Sequence, residues 1–486
     1  MAVRTALIFV LFSSLWGLSA CQSSHRAEDL SLLAPAAGES ASTDLFSENE
    51  NGKLEVSYHQ AINRAMDHNL DVRMAALEVL AAENQISLAS LNAFPSLQLT
   101  GGIRGRSDEA ASSSESILSG QQSLEPSTSS EKIRRFHDLE LRWNTLDLAL
   151  AVIQLRDDTA RAGIEASRFD KVRQTVIQDV TNAYLRALSS QNMQRRTEQL
   201  IQEAEKVLAN SRKAAREGLV PQASSTALHD RLSSLLGQLY DIENEQALAM
   251  TELKSLLNLP LDAVLSLSAE GLPNPDYIAG YDINDINELE TLAIIHRPEL
   301  EEARQSINIA ERQSWREIWR TLPGGTFMLT LSGDSNEFLV NDDWASFSTT
   351  LTQNILNLVS YPARQRSAEN VEELEKARFD ALAAAVAFQV RLAHQRLSFA
   401  QDRFALAQNE FKSLQALDRR QKEAAKAGLL SGAERVESAL SAYLKQLEEA
   451  EALRDIHNAY VQMQMATGTL DETAFAAAYI QQGARP

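Results

Sequence analysis

The sequence contains one cysteine, 11 prolines and 19 glycines among 486 residues. A single cysteine excludes a disulfide scaffold and a zinc site built from thiolates, because both need several cysteines. The scarcity of proline and glycine, together with heavy use of alanine, leucine, glutamate and glutamine, favours long helices. Basic charge is also scarce, with 46 Lys and Arg against 66 Asp and Glu and a net charge of −20. This balance argues against nucleic acid as a partner, because a duplex backbone binds basic patches.

The one cysteine, Cys21, follows an apolar N-terminal segment. Residues 1–20 combine an early basic residue, an apolar run and small residues, as a bacterial signal peptide does. The sequence Leu18-Ser19-Ala20-Cys21 resembles a lipobox, in which the cysteine becomes the first mature residue and receives acyl chains. We predict a signal peptide over 1–20, lipid attachment at Cys21 and a lipidated tether over 21–55. An aspartate directly after the lipidated cysteine would resemble an inner-membrane retention signal. This chain has Gln22 at that position, which favours the outer membrane. The alternative is an ordinary signal peptide with a chance cysteine.

The chain repeats itself at long range. The segment 65–71 matches 293–299 at an offset of 228 residues, and 143–148 matches 353–358 at an offset of 210. An offset that holds over a long stretch indicates a duplicated structural unit. The change of offset places an insertion in the first copy, which includes the Ser- and Glu-rich residues 107–130, and we expect these to form an exposed loop.

Each copy begins with a helix and continues into two alternating segments. The helices are predicted over 56–93 and 288–321, and each ends before a proline that cannot continue it. Alternation of apolar and polar residues predicts strands at about 96–106 and 137–147, and again at about 325–334 and 344–356. Segments of about ten residues with this period are typical of strands between lipid and a lumen. Four strands of a small soluble sheet are the alternative.

After its strands each copy enters a very long helical hairpin. Neither glycine nor proline interrupts the chain between Gly163 and Gly218 or between Pro362 and Gly428, which predicts helices of roughly 100 Å. Apolar and small residues at coiled-coil spacing mark both helices. In the first they are Leu148, Val152, Leu155, Thr159, Ala162, Ala166 and Phe169, and in the second they are Phe379, Leu382, Val386, Val390, Ala393, Leu397, Ala400, Phe404, Ala407, Phe411 and Leu414. We predict a first repeat over 56–258, a linker or equatorial segment over 259–287, a second repeat over 288–470 and a tail over 471–486.

Four strands per chain are too few for a barrel, since small barrels need about eight. Open strand edges are not tolerated in lipid. Either the strands lie outside a membrane, or several chains contribute to one barrel. Beyond the N-terminus no run approaches the roughly 18 apolar residues of a transmembrane helix, so a membrane crossing by the mature chain would use strands.

This order of elements resembles the TolC-like outer-membrane efflux proteins over residues 56–470. The features that carry the resemblance are the duplicated unit, the helix-ending Pro95 and Pro323, the segment 143–148 and the glycine-marked tips, including 427–431. The resemblance implies a mainly α fold with a membrane β-barrel contribution. It implies a homotrimer with a 12-stranded barrel and a periplasmic α-helical barrel.

The resemblance also implies a function and partners. The chain would be the outer-membrane exit duct of a tripartite efflux or secretion system. Its partners would be a periplasmic adaptor, an inner-membrane transporter and outer-membrane lipid. The alternative hypothesis is a lipid-anchored periplasmic coiled-coil adaptor or scaffold without a pore. The duplicated hairpin and the alternating segments favour the duct, because adaptors usually carry one hairpin within a β-rich module.

Residues near the hairpin tips receive roles from the same resemblance. Glu434 and Glu437 lie six and nine positions after Gly428, where acidic residues of the family line the tunnel entrance. Glutamate stands here for the usual aspartate, and the first copy has Ser224 and Ala227 at the equivalent places. The expected adaptor-contact residues are Gly218, Leu219, Gly428 and Leu429. The ordinary interpretations are a solvated helix face for the glutamates and a helix-ending turn for the glycines.

Motifs of catalysis are missing from the sequence. It has no phosphate-binding loop, no nucleophile elbow and no His-x-x-x-His pair. We therefore expect no enzyme activity, no catalytic residue, no metal site and no cofactor.

Overall fold

The structure is a computed structural model, and it describes residues 53–123, 125–219, 221–281, 285–426 and 432–470. The predicted signal peptide, Cys21, Gly428, Leu429 and the predicted tail lie outside the described residues. Contacts group the chain into two compact units. The helical unit comprises the described residues up to Leu80, Phe169–Leu292 and those from Gln389 onward, and the strand unit comprises Ala81–Arg168 and Ala293–Phe388.

The elements occur twice in nearly the same order, which confirms the predicted duplicated unit. In chain order they are β1 (Leu54–Val56), α1 (Tyr58–His68), α2 (Leu70–Leu91), β2 (Ser96–Gly105), β3 (Ala111–Ser112), β4 (Ser127–Thr128), β5 (Ile133–Asn144), α3 (Thr145–Arg216), α4 (Gln222–Leu256), β6 (Leu265–Leu267), α5 (Pro275–Ala279), α6 (Ile286–His296), α7 (Pro298–Trp319), β7 (Gly324–Asp334), β8 (Asp343–Thr352), α8 (Ile355–Lys426) and α9 (Gly432–Thr467). The two long helices, α3 and α8, have 72 residues each, or roughly 110 Å of helix. None of the helices in the described ranges is long and apolar enough to cross a membrane.

The first helix of each copy is broken, which differs from the continuous helices expected over 56–93 and 288–321. The break between α1 and α2 is at Asn69, whose Oδ1 accepts hydrogen bonds from the backbone N–H of Asp71 (2.9 Å) and Val72 (3.3 Å). The break between α6 and α7 is at Arg297, with φ −69° and ψ 124°. Pro298 forces this conformation, because a residue before proline is disfavoured in the helical region.

The helical unit contains a short parallel sheet and a buried tyrosine, Tyr184. β1 pairs with β6 from Leu54↔Leu265 to Val56↔Leu267, so the predicted tether and linker both contribute to the fold. The Tyr184 hydroxyl donates toward the carbonyl oxygens of Val56 (2.8 Å) and Ser268 (2.6 Å), next to β1 and β6. Burial raises the pKa of Tyr184 above its ordinary value, so the hydroxyl remains a donor.

The strand unit contains an antiparallel sheet with the order β2-β5-β7-β8, which confirms four long strands. β5 begins at Ile133, earlier than the expected 137, and ends at Asn144. It cannot extend to 147, because Asn144 Oδ1 accepts a hydrogen bond from the Leu146 N–H (2.8 Å) at the start of α3. The inserted residues 107–130 are mostly exposed and include the small hairpin β3-β4.

The two long helices differ in how they use their coiled-coil spacing. In α8 the six predicted positions from Val386 to Phe404 are buried, and the outer ones are half-buried: Phe379, Leu382, Ala407, Phe411 and Leu414. In α3 the predicted spacing marks the buried face only in part. Ala162 and Phe169 are buried, but Val152 is 43% exposed and Thr159 is exposed. The neighbouring Ala151, Ile153 and Ala160 are buried instead.

Two adjacent aspartates set the buried face of α3 in the strand unit. Asp157 is 0% exposed. Its carboxylate accepts a hydrogen bond from Arg312 Nε (2.7 Å) and pairs with Arg316, both on α7. Asp158 pairs with Arg161 at 2.6 Å. A buried carboxylate is tolerated only when it is paired and hydrogen-bonded, so the contacts of Asp157 with Arg312 and Arg316 fix the rotation of α3 against α7.

Replacing the buried acid should destabilise the protein strongly. We expect Asp157→Ala to lower the free energy of unfolding by about 3–5 kcal/mol, because it leaves Arg312 and Arg316 without their counter-ion. The matched control is Glu198→Ala on the same helix, an exposed glutamate for which we expect a change within about 0.5 kcal/mol. Thermal unfolding followed by circular dichroism compares the variants, and equal midpoints would contradict the structural role of Asp157.

Candidate functional site

The register of the four-stranded sheet sorts its side chains into two faces. The apolar face consists of cross-strand rows: Gly325/Leu351, Trp143/Phe327/Thr349, Leu97/Leu141/Leu329/Phe347 and Leu99/Leu139/Leu331/Ala345. The polar face consists of the alternate rows, among them Ser96/Arg142/Met328/Ser348, Gln98/Glu140/Thr330/Ser346 and Thr100/Asp138/Ser332/Trp344. The register therefore places the apolar residues of all four strands on the same face of the sheet.

The apolar face is open to its surroundings in the single chain. Leu99 is 75% exposed and Phe347 is 86% exposed. On the polar face two arginines pair with carboxylates, since Arg142 lies 2.8 Å from Glu140 and Arg134 lies 3.2 Å from Asp334. A contiguous exposed apolar surface marks a contact with another apolar phase. The sheet therefore has one surface suited to lipid and one suited to water.

The sheet has two open edges. β2 and β8 stand at the ends of the strand order, so each is hydrogen-bonded on one side within the described chain. The outer side of an edge strand presents unpaired N–H and C=O groups that pair readily with another strand. Both edges of the described sheet are therefore available for pairing with further strands.

The turn between α3 and α4 contains Gly218 and Leu219. The Leu219 N–H donates to the Ala214 carbonyl (2.9 Å), and Gly218 has φ +71°, as in a helix end capped by glycine. No heavy atom lies within 4 Å of a Cβ placed on Gly218, so its conformation and not the available space requires glycine. Leu219 is 72% exposed at this turn.

Glu434 and Glu437 lie near the start of α9. Glu434 is exposed in the first turn. Glu437 Oε1 accepts a hydrogen bond from Arg231 Nη1 of α4 at 2.7 Å, and their side chains are 33% and 64% exposed. Beneath them Val436 and Leu440 pack with Leu232 in a buried cluster. Arg231 was missed from the sequence, although it stands one helical turn after Ala227, the repeat equivalent of Glu437.

A cavity of about 310 Å³ lies between α3, α4 and α9 in the helical unit. Its charged lining residues are Arg186, Asp241, Glu245, Glu451 and Arg454. Arg186 contacts Glu245 and Glu252 at 2.5 Å each, so charges of the lining are used within the protein. Within the described ranges no group of three His, Cys, Asp or Glu side chains is arranged to hold a metal ion.

Known proteins resemble this chain in sequence or in structure. Residues 61–259 match the family model described as outer membrane efflux protein. The outer-membrane channel OprN is similar in structure with a TM-score of 0.65 at 14% identity, over 85% of this chain and 90% of that chain. For CusC the TM-score is 0.62 at 15% identity, over 90% and 98% of the two chains. For the CmeC outer membrane channel of Campylobacter jejuni it is 0.64 at 13% identity, over 93% and 94%.

No curated protein matches the chain in sequence. The structural likenesses establish its fold class, which is that of outer-membrane channels. Its resemblance to the TolC-like outer-membrane efflux proteins is confirmed, with the family model matching from α1 to just after α4.

Replacing the glycine at the first tip should weaken the hairpin. We expect Gly218→Ala to lower the free energy of unfolding by about 1–2 kcal/mol, because an L-residue in the left-handed region carries that cost. The matched control is Gly237→Ala in the interior of α4, where a Cβ also meets nothing within 4 Å. There we expect a gain of about 0.5–1 kcal/mol, since alanine favours helix. Thermal unfolding that moves in the same direction for both variants would contradict this account of Gly218.

Proposed function

We propose that this protein is the outer-membrane exit duct of a tripartite efflux or secretion system, through which substrate passes passively from an inner-membrane pump. The observation that carries the proposal is the four-stranded sheet with an apolar face, a polar face and two open edges. Lipid would cover the apolar face, and the polar face would line a water-filled lumen, as in transmembrane barrels.

Copies of the chain would complete the sheet by pairing β8 of one copy with β2 of the next. The four strands alternate in direction, so β8 and a neighbouring β2 run antiparallel in a ring, as barrel closure requires. The resemblance to the efflux proteins supplies the number of copies, which is three. Three copies of four strands give 12, above the roughly eight needed to close a barrel.

The helical hairpins would extend into the periplasm and meet the adaptor at their tips. Gly218, Leu219, Gly428 and Leu429 are the proposed contact residues. The exposure of Leu219 supports this role for the first tip, since an exposed leucine at a turn gives a partner an apolar contact. The adaptor would connect the duct to the inner-membrane transporter.

Glu434 and Glu437 are the proposed carboxylates of the tunnel entrance. A ring of carboxylates from three copies would attract cations and repel anions in a narrow opening. The contact with Arg231 modifies this proposal, because the guanidinium offsets part of the charge of Glu437. The entrance would therefore depend on three side chains and not on two.

Channel measurements test both the duct and its entrance. Wild-type protein in a planar bilayer should conduct, and cations such as Mg²⁺ added on the periplasmic side should block the current, because carboxylate oxygens bind hard cations. The double variant Glu434→Ala, Glu437→Ala should lose cation selectivity and bind the blocking ion more weakly. Arg231→Gln should act in the opposite direction, because it releases the charge of Glu437.

Two outcomes separate the parts of the proposal. If the wild type inserts but does not conduct, the exit duct is wrong, and a lipid-anchored scaffold without a pore takes its place. If all variants conduct with equal selectivity and equal block, the duct stands and the two glutamates are an ordinary solvated helix face.

Lipid attachment at Cys21 is the proposed anchor in the outer membrane. Mass spectrometry of the mature protein should find its first residue to be Cys21 carrying acyl chains. Cys21→Ser should abolish the added mass, whereas the control substitution Ser23→Ala should leave it in place. An unmodified Cys21, or cleavage at another position, would contradict the prediction.

A further inference from the structure

The apolar face of the sheet ends in two rows that carry polar side chains. The first of these rows is Gly101/His137/Gly333/Asp343, and the next pairs Ile103 with Arg135. The His137 Nε2 atom lies 3.9 Å from Asp343 Oδ1, and the ring crosses Gly333, where a Cβ would overlap it. Polar and charged side chains therefore lie on the same face as the leucines, at one end of the sheet.

That end of the sheet lies away from the helices. α3 follows β5 at Asn144, α7 precedes β7, and α8 follows β8 after Thr352, all at the end of the sheet that holds the Gly325/Leu351 row. Arg135 lies near the opposite end, where the strands connect through the loops 106–132 and 335–342. With the helices in the periplasm, this end meets the outer leaflet of the membrane.

The spacing of the rows gives the depth of Arg135. Ten residues separate the Gly325/Leu351 row from the Arg135 row along the strands, counted through Phe327↔Trp143. At about 3.4 Å per residue this is roughly 34 Å. Strands tilted by about 35–45° in a membrane barrel convert it to roughly 24–28 Å, which matches an apolar band about 25 Å tall. Arg135 then stands at the boundary between hydrocarbon and headgroups.

The contacts of Arg135 differ from those of its neighbours on the polar face. Arg134 is 3.2 Å from Asp334, and Arg142 is 2.8 Å from Glu140. Arg135 is exposed, and in the described part of the chain its guanidinium has no hydrogen-bonding or ionic partner. Its surroundings on this face include Ile103 and Ile133, which are 70% and 65% exposed. A charged group in such a place needs an anion from outside the protein.

We propose that Arg135 binds the phosphate group of an outer-leaflet lipid. The guanidinium fork matches two phosphate oxygens, and its apolar stem lies along Ile103 and Ile133 while the charge reaches the headgroup. The proposal rests on the proposed function, since the apolar face must lie in the outer membrane. It assigns this face a specific lipid contact in addition to its general fit to hydrocarbon.

The test uses the full chain as purified trimers, with lipid A, a glycolipid that carries phosphate monoesters, as the probe. Native mass spectrometry at increasing lipid A concentration gives the apparent dissociation constant. We expect Arg135→Gln to weaken binding about five-fold per site, because one basic residue near an anionic lipid surface contributes about 1 kcal/mol. Arg135→Lys should bind with an affinity between those of the wild type and Arg135→Gln, because lysine keeps the charge but not the guanidinium fork. The matched control is Arg134→Gln, the adjacent residue on the polar face, which should bind as the wild type does.

Several outcomes would overturn the proposal. Equal affinity of wild type and Arg135→Gln would do so, as would an equal loss in Arg134→Gln. Unchanged binding of dephosphorylated lipid A would show that phosphate is not recognised, and displacement of lipid A by millimolar inorganic phosphate would identify a free-phosphate site instead. If Arg135→Gln fails to insert, the salt dependence of the wild type and the affinity of Arg135→Lys decide, since an exposed ionic contact must weaken as salt screens it.

Conductance in phosphatidylcholine bilayers separates this proposal from the proposed function. Wild type and Arg135→Gln should conduct equally there. Normal conductance with unchanged lipid A affinity rejects the phosphate contact alone. Loss of conductance in the wild type rejects the duct itself.

Discussion

The hydrogen bonding of the sheet edges is the constraint on which the proposed architecture depends. Lipid offers no partner for a backbone N–H or C=O group, so a sheet with an apolar outer face cannot end at β2 and β8. In the proposed assembly a second copy of the chain covers each edge. The single chain is thus an incomplete structure, and its exposed leucines and phenylalanines mark where assembly and membrane complete it.

The way in which charged side chains of the strand unit are stabilised depends on the surroundings of each surface. On the polar face arginines and carboxylates pair with each other across or along strands, as Arg134 does with Asp334. Away from water, Asp157 is held by two arginines, because a single unpaired carboxylate would be too costly there. Among the described residues Arg135 has no ionic partner on the apolar face, and in the proposed membrane position its charge lies at the depth of the headgroups. Each of these charged side chains is therefore stabilised by what its surroundings offer: an ion pair on the polar face, a buried ion pair for Asp157, or the proposed headgroup contact for Arg135.

Much of this fold can be predicted from the sequence, because its signals are periodic and occur twice. Alternation located the four long strands, and the coiled-coil spacing of α8 identified residues that are buried. In α3 the same spacing was correct only in part, because Phe169 is buried but Val152, close to the buried Asp157, is exposed. No periodicity of apolar residues reports a buried ion pair. The break at Asn69 was missed although asparagine often begins a helix, and Arg231 was missed because its partner lies 206 residues away. The sequence also did not predict that the apolar residues of all four strands share one face, because this depends on the pairing register in the structure.

Duplication of the strand pair has a geometric consequence for a ring of copies. Each hairpin unit adds two strands of opposite direction, so any number of units gives an even count. With an even count the last strand of one copy is antiparallel to the first strand of the next, and every junction in the ring has the same hydrogen-bonding pattern as the pairs within a chain. A chain with three or five such strands would place parallel neighbours at its junctions, which a barrel of this kind does not contain. The internal repeat therefore does more than lengthen the protein, because it makes each copy compatible with closure by identical neighbours.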